Sequence, residues 1–252
     1  MNLQQWVPSK WEQVVGNYLL KEICKGIVRT KIAYGGCELP DEALGNFFVS
    51  GKSRSGKTSC IKLLMKCLLC DSVNPVSLEP CYNCSGCQDS YLIDQDLGVF
   101  GSENVKNRRF EYVPIDCSRV KGKDDLENKL YYDILYRDRP RIYFLDEVHL
   151  LKSMDRDSVL LRALDDNKAI WLLASAVPDQ VHPMLKGRLS EVETECPNPD
   201  ELVRWVVERA KEAGVRICPN DAVELADKYF DCPGRILNQL KLLHFRNSSG
   251  SL

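Results

Sequence analysis

The sequence predicts an α/β protein in which a parallel sheet carries a phosphate-binding loop and a small all-helical domain follows. Short apolar runs alternate with helical patterns as far as residue 175, which is typical of a parallel sheet covered by helices. The stretch GKSRSGKT, at 51–58, lies between one such run and a helical pattern. Pro197-Asn198-Pro199 then interrupts the chain, and only helical patterns come after it.

The individual elements are predicted from apolar residues at helical spacing or in short continuous runs. Strands are expected at 46–50, 110–116, 141–145 and 169–175, and helices at 11–34, 58–69, 124–135, 158–164, 200–213, 220–230 and 233 to about 245. Residues 71–110, with Pro, Gly and Asn spread throughout, predict irregular structure. We therefore expect an α/β nucleotide-binding core over 1–197, a helical domain over 198–247 and a disordered tail over 248–252.

The composition is that of an ordinary globular protein, with 252 residues, 44% hydrophobic, and a net charge of -2. No apolar run approaches the roughly 20 residues that span a bilayer. The N-terminus lacks the basic and apolar regions of a signal peptide. We expect a cytoplasmic protein with no membrane partner, in which any contact with nucleic acid is local, because there is no global basic field.

The loop at 51–58 matches G-x-x-x-x-G-K-[ST] in full, between a predicted strand and a predicted helix as this motif requires. Gly51 and Gly56 allow a backbone that wraps phosphates with N–H groups at the positive end of the helix. Lys57 is expected to reach the β- and γ-phosphates of ATP, and the Thr58 hydroxyl to bind Mg²⁺. The predicted nucleotide-binding residues of the loop are Gly51, Ser55, Gly56, Lys57, Thr58 and Ser59.

Two acidic residues follow the third predicted strand, and a phosphate loop needs a carboxylate at such a strand end. Asp146 is expected to hold Mg²⁺, and Glu147 to polarise the attacking water, so that an intact Glu147 favours hydrolysis over binding alone. Ser175 ends the next predicted strand, where a hydroxyl can sense the γ-phosphate and position water. The alternative for Ser175 is a strand-end serine that caps a turn.

Four of the 12 cysteines form a separate group. Cys81-x-x-Cys84-x-x-Cys87, with Cys70 upstream, offers four thiolates, which is the ligand set of a closed structural zinc site. Cys67, one helical turn before Cys70, competes for the fourth position. An iron–sulfur cluster could use the same thiols, and free thiols are the other alternative. A catalytic zinc is not expected, because four sulfurs leave no open coordination position.

Several motifs, taken in order and spacing, resemble one family. They are WEQVVG (11–16), GKSRSGKT (51–58), PCYNCSGC (80–87), VPIDCS (113–118), LDEVHLL (145–151), LLRALDD (160–166) and LLASAV (172–177). Together they resemble the bacterial clamp-loader γ/τ subunits of DNA polymerase III, which are AAA+ ATPases. The resemblance covers residues from about 6 to 245. It implies a AAA+ core, a three-helix lid with ATP at their junction, and a zinc module whose first cysteine stands where Cys70 does.

The resemblance also implies roles for residues outside the phosphate loop. The segment containing Val14 and Val15 would line the adenine site. Arg235 stands where the lid carries an arginine that touches the phosphates, although a solvent-exposed arginine is the alternative. Arg188, in Gly187-Arg188-Leu189, stands where clamp loaders carry Ser-Arg-Cys, whose arginine enters the ATP site of a neighbouring subunit. The arginine matches the family motif and its two neighbours do not.

A basic stretch follows the second predicted strand and contains Arg119, Lys121 and Lys123. In clamp loaders the corresponding region faces the DNA backbone, and contacts of lysine and arginine with phosphate are independent of sequence. An ordinary solvated run of charges is the alternative. One subunit alone is expected to bind DNA weakly.

Two features depart from the family. The chain ends directly after the lid, without the helical collar that clamp-loader subunits carry, so it is either a part of a longer subunit or a protein that oligomerises differently. In addition, Val7-Pro8 stands in place of Arg-Pro, and Asp165-Asp166-Asn167 in place of Glu-Glu-Pro. Both suggest a divergent member, such as one from a phage or mobile element.

The sequence therefore predicts a DNA-dependent ATPase that loads a sliding clamp at primed DNA, together with other clamp-loader subunits or copies of itself. A second hypothesis is a non-hydrolysing scaffold subunit, which the intact Lys57 and Glu147 disfavour. A third is a AAA+ remodeller or regulator of other DNA machinery, such as transposition, helicase loading or phage defence. Dependence of the ATPase on the clamp discriminates the first hypothesis from the third.

Overall fold

The computed structural model describes residues 7–35, 45–89, 105–106, 111–131, 141–152, 154–166 and 169–249. Within these residues the chain forms a six-stranded sheet with helices on both faces, followed by a group of three helices. None of the helices in these ranges is both long and apolar enough to cross a bilayer.

The sheet has the spatial order β2-β3-β4-β5-β1-β6. Its strands are β1 (Asn46–Ser50), β2 (Val105–Lys106), β3 (Glu111–Asp116), β4 (Arg141–Asp146), β5 (Ala169–Ser175) and β6 (Ser190–Glu193). β2 runs antiparallel to β3, and the other neighbours are parallel. The two edge strands were not predicted, because β2 has two residues and β6 buries only Val192, so neither leaves a hydrophobic pattern.

The central strands are apolar because both of their faces are covered. All seven residues of β5 are buried. On β4, Ile142 and Phe144 join the hydrophobic cluster on one face of the sheet, while Tyr143 and Leu145 join the cluster on the other. The Tyr143 ring stacks on Trp171 of β5, with the centroids 4.1 Å apart and the planes 12° from parallel.

The helices of the core cover the two faces of the sheet. Those of the core are α1 (Tyr18–Ala33), α2 (Lys57–Leu69), α3 (Ser85–Asp89), α4 (Lys123–Tyr131), α5 (Met154–Asp166) and α6 (Pro183–Lys186). The helical domain follows with α7 (Pro199–Glu212), α8 (Pro219–Lys228) and α9 (Pro233–Ser249). Helices α1 and α2 contribute to one hydrophobic cluster, and α4 and α5 to the other. Helix α2 is buried along nearly its whole length, so the helix that follows the phosphate loop is fixed on several sides.

Helices α7 to α9 have a hydrophobic core of their own. The first of them begins at a standard cap, because the Asn198 side chain accepts a hydrogen bond from Asp200 N at 3.0 Å and Pro199 occupies the first helical position. Val15, from the N-terminal segment, is buried in this helical core. The N-terminal segment is therefore shared between the two packing units.

The predicted helix at 11–34 is wrong at its start. Trp11–Gln13 is a short 3-10 helix, and α1 begins only at Tyr18. Between them, Gly16 and Asn17 adopt left-handed backbone conformations with φ of 68° and 53°. Two such residues in succession end one helix and start another, and periodicity alone does not reveal them.

Other boundaries differ from the predictions by a few residues. Helix α9 runs to Ser249 and so includes two residues of the predicted tail at 248–252, whose last three residues lie outside the described ranges. Helix α3 lies within the segment predicted to be irregular. The last four residues of the predicted helix at 124–135, and Phe110 at the start of a predicted strand, also lie outside the described ranges.

We predict that Gly16→Ala destabilises the protein by about 2 to 4 kcal/mol, since a Cβ there would meet Glu195 O at 2.7 Å in a backbone conformation that L-residues disfavour. The control is Gly26→Ala within α1, where a Cβ meets nothing within 4 Å. That change is expected to stabilise by about 0.5 to 1 kcal/mol. Urea unfolding measures both, and an equal shift of the two midpoints would contradict the prediction.

Candidate functional site

The phosphate loop joins β1 to α2 and holds an open conformation that glycine permits. Gly51 and Gly56 have φ of 143° and 103°, in the region that side chains disfavour. A Cβ on Gly51 would lie 1.7 Å from Thr194 Oγ1, and a Cβ on Gly56 would lie 2.9 Å from Asn17 Nδ2. The loop therefore requires glycine at both positions for space as well as for backbone conformation.

The Lys57 ammonium lies inside this loop. Its Nζ donates hydrogen bonds to Gly51 O at 2.7 Å and Lys52 O at 2.8 Å. Burial lowers the pKa of Lys57, and the nearby carboxylates of Glu147 and Asp146 oppose that effect. The ammonium is thus held where phosphate oxygens would replace the two carbonyls as its partners.

Thr58 and Asp146 come together from α2 and β4. The Thr58 hydroxyl donates to Asp146 Oδ2 at 3.2 Å. Burial, and then the charge of Glu147, raise the pKa of Asp146 above its usual value. A hydroxyl and a carboxylate in contact at the first turn of a helix are suitable oxygen ligands for Mg²⁺.

Glu147 and Ser175 lie at the carboxyl ends of adjacent parallel strands, β4 and β5. Glu147 has a left-handed conformation with φ of 54°, and Ser175 is fully buried. Between them stands His149, a residue that the sequence reasoning missed. Its Nδ1 lies 3.0 Å from Ser175 Oγ and 3.4 Å from Glu147 Oε2.

A cavity of about 610 Å³ lies between the α/β core and the helical domain. Nine of the sequence-predicted residues line it: Val14, Val15, Ser55, Gly56, Lys57, Thr58, Ser59, Asp146 and Glu147. The opposite wall comes from the helical domain and includes Trp205 and residues of α9. The volume is in the range of cavities that hold small molecules.

Several lining residues were not predicted. Lys62 on α2 and Lys241 on α9 add positive charge from both walls of the cavity. Asn17 supports the loop from behind, because its buried side chain donates from Nδ2 to Ser55 O at 2.7 Å. The Gly16-Asn17 pair was the available signal in the sequence, since both residue types adopt left-handed conformations more readily than others.

The helical domain contacts both the phosphate loop and the N-terminal segment. Gly234 N donates to Arg54 O at 3.1 Å, and Trp205 Nε1 donates to Gln13 O at 2.7 Å. Arg235, predicted to touch phosphates, is exposed and lies outside the lining of the cavity.

Arg188 also lies outside the lining of the cavity. Its guanidinium forms a two-pronged contact with Asp165, with Nε to Oδ1 at 2.9 Å and Nη2 to Oδ2 at 3.2 Å. Nη1 donates to Met184 O at 3.2 Å. The arginine is exposed, so the structure places it on the surface of the core and not in the site of its own chain.

The predicted cysteine group converges as a separate candidate metal centre. The sulfurs of Cys70, Cys81, Cys84 and Cys87 all lie within 4.8 Å of one another, and two pairs are 3.9 Å apart. Around a tetrahedral zinc, Zn–S bonds of about 2.3 Å place sulfurs roughly 3.8 Å apart. The four sulfurs therefore fit a single metal ion such as zinc.

Cys70, and not Cys67, belongs to this group. Cys67 Sγ instead donates to Leu78 O at 3.3 Å and is not among the sulfurs that converge. Backbone N–H groups donate to the sulfurs of the cluster, among them Cys81 N to Cys70 Sγ at 3.2 Å and Asp71 N to Cys84 Sγ at 3.2 Å. Such donors stabilise thiolates.

The basic stretch after β3 lies on the surface. Arg119, Lys121 and Lys123 are all exposed. Arg119 Nε contacts Asp116 Oδ2 at 3.1 Å, and Lys123 is the first residue of α4. The structure leaves these side chains accessible to an external anion.

No protein-family model matches the chain. The chain is nevertheless similar to curated subunits of DNA polymerase III. It is 23% identical over 246 residues to the subunit gamma of Buchnera aphidicola subsp. Schizaphis graminum, covering 95% of this chain and 59% of that one. It is 23% identical to the Bacillus subtilis subunit tau, covering 91% of this chain and 39% of that one. It is 28% identical to the Escherichia coli subunit tau, covering 73% and 25%.

The fold is also similar to solved structures. Thermotoga maritima RuvB, titled a Holliday junction branch migration motor, superposes with a TM-score of 0.61 at 14% identity, covering 93% of this chain and 63% of that one. A point variant of the same motor gives a TM-score of 0.62 at 15% identity, covering 96% and 65%. The predicted fold class and the predicted resemblance to γ/τ subunits are confirmed. The chain spans between about a quarter and three fifths of the relatives it matches.

We predict that Cys84→Ser abolishes tight zinc binding, whereas Cys67→Ser and the surface control Cys196→Ser each retain about one zinc ion per chain. Removing one of four thiolates leaves an incomplete tetrahedral site, while the other two cysteines lie outside the cluster. Elemental analysis after dialysis gives the metal content. Loss of zinc in Cys67→Ser with retention in Cys84→Ser would reverse the ligand assignment.

Proposed function

We propose that this chain is an ATP-hydrolysing, clamp-loader-type AAA+ subunit that acts on DNA in replication, and that it loads a sliding clamp at primer–template junctions. The observation that carries the proposal is the convergence of Lys57, Thr58, Asp146 and Glu147 on one cavity between core and helical domain. In this proposal residues 1–197 are the nucleotide-binding core, 198–247 form a lid over ATP, and the protein works in the cytoplasm.

In the proposed reaction Lys57 leaves the carbonyls of Gly51 and Lys52 and contacts the β- and γ-phosphates of ATP. Thr58 and Asp146 hold Mg²⁺, which neutralises phosphate charge when bound. Glu147 polarises the attacking water. Ser175 is fully buried and lies outside the cavity lining, so its hydroxyl would reach the γ-phosphate only after a local rearrangement. Val14 and Val15 line the adenine side of the cavity, next to the helical domain. Arg235 would reach the phosphates only if the lid moved, because it is exposed in this arrangement.

The proposed partners are other clamp-loader subunits or copies of this chain, a sliding clamp, and primed DNA. Arg188 is proposed to complete the ATP site of a neighbouring subunit. This role fits its position on the surface, and the pair with Asp165 is exposed, so a neighbour's phosphates can compete for the guanidinium. Arg119, Lys121 and Lys123 are proposed to contact the DNA backbone once several subunits align their basic stretches.

The cysteine cluster is proposed to hold a structural zinc ion. All four ligands are thiolates, so the ion would have no open position for a substrate. It would tie the end of α2, at Cys70, to residues 81–87, which carry the other three cysteines and include the start of α3.

We expect ATP hydrolysis per subunit to rise with protein concentration and to increase further with primed DNA and a β-type sliding clamp. The reason is that a neighbour's arginine and the DNA are needed to complete the site. Glu147→Gln, a nearly isosteric change, should lower the rate by about 100-fold or more while ATP binding is retained. Hydrolysis that ignores the clamp would contradict clamp loading and favour a remodeller of other DNA machinery.

Arg188→Ala is expected to lower hydrolysis in the assembled complex on the order of 1,000-fold, with little change in ATP affinity. The matched control is Arg204→Ala, another exposed arginine, on α7. Mixing the Arg188→Ala chain with the Glu147→Gln chain should restore part of the hydrolysis rate. A site that keeps Glu147 in the first chain can then receive Arg188 from a neighbouring copy of the second. No recovery in the mixture, with both variants assembling normally, would argue against a role in trans.

A further inference from the structure

His149 stands between two of the site residues without having been assigned a role. It lies in the 3-10 turn Val148–Leu151, which directly follows the left-handed Glu147. That reversal of the chain turns the imidazole back towards the end of β5. The ring is packed, with 11% of its side-chain surface exposed, so its direction is fixed by the fold.

The hydrogen bonds of Ser175 define what this ring does. Val177 N can only donate, so Ser175 Oγ accepts that bond, which is 3.0 Å long. The same Oγ lies 3.0 Å from His149 Nδ1. If Nδ1 carries the proton, Ser175 Oγ accepts a second bond and its two lone pairs are filled. The ring then fixes the position of this oxygen at the end of β5.

Glu147 is the other neighbour of the same nitrogen. Its Oε2 is buried and accepts no hydrogen bond from any residue in the described part of the chain. His149 Nδ1 approaches it to 3.4 Å without the geometry of a hydrogen bond. One N–H group therefore faces two oxygens, of which one is satisfied and one is not. A small rotation of the ring or of the carboxylate would complete the second contact.

We propose that His149, as its Nδ1–H tautomer, is a positioning residue that fixes Ser175 Oγ at the end of β5 and steadies the carboxylate of Glu147, which lines the cavity. It touches neither nucleotide nor water and acts through those two residues. When the Nδ1–H group is shared with Glu147 Oε2, it fixes the orientation of that carboxylate. The proposal rests on the proposed ATP hydrolysis and adds the residue that links Ser175 to Glu147.

The kinetic test compares His149→Ala with His149→Asn in the full chain, assembled with its partners, primed DNA and clamp. Asparagine can place an N–H group near the position of Nδ1, and alanine cannot. His149→Ala should lower kcat on the order of 10- to 100-fold with the Kd for ATP unchanged, and His149→Asn should recover part of the loss. In a Ser175→Ala background the effect of His149→Ala should shrink, because the two act as a unit.

His244→Ala, in α9 of the helical domain, is the control and should leave kcat unchanged. Wild-type kcat in His149→Ala would overturn the proposal. So would equal losses in the alanine and asparagine variants accompanied by a lower melting temperature, since that pattern belongs to a merely structural residue.

A second measurement does not require turnover. The chain has three histidines, so the ¹⁵N signals of the imidazole of His149 can be assigned by their absence in His149→Asn. A protonated Nδ1 is expected in the protein with and without a non-hydrolysable ATP analogue, and an unprotonated Nδ1 would overturn the proposal. If wild-type protein binds ATP but never hydrolyses it, the proposed function fails, while the tautomer still decides the role of His149.

Discussion

An open phosphate loop must turn its N–H groups inward, so few of them can bond within the loop, and it has to be held in place from outside. Here the support comes from separate parts of the chain. Thr194, after the edge strand, packs against Gly51, and Asn17 donates to the carbonyl of Ser55 from the start of α1. The backbone carbonyl of Arg54 accepts a hydrogen bond from the N–H of Gly234 in the helical domain. The loop is thus a meeting point of three regions that are distant in sequence.

The parallel sheet supplies the second part of the site. Because β1, β4 and β5 run in one direction, the phosphate loop, the acidic pair and Ser175 all appear at the same edge. The left-handed residue Glu147 then bends the chain so that His149 returns to this edge. Arg54 in the phosphate loop and Glu147 after β4 thus both hold left-handed conformations near the cavity, where the surrounding packing can maintain them.

Much of this arrangement could be predicted from the sequence because its signals are local. The motif at 51–58, the acidic pair and the cysteine spacing each fit within a few residues, and the buried central strands are continuous apolar runs. The break at Gly16 and Asn17 was missed, since a helical hydrophobic pattern continues through it. The contacts of His149 and the pair of Arg188 with Asp165 depend on how strands and helices pack, which no local pattern records.

The position of the cavity makes the affinity for nucleotide depend on how the helical domain lies against the core. One of its walls belongs to the α/β core and the other to the helical domain, so a nucleotide bound in it would contact both. The observed dissociation constant for nucleotide then equals the intrinsic constant divided by the fraction of molecules in which the two domains are positioned to bind it. A partner that holds the helical domain against the core would raise the affinity for nucleotide without touching the nucleotide. By thermodynamic reciprocity, bound nucleotide would raise the affinity of that partner for the chain by the same factor.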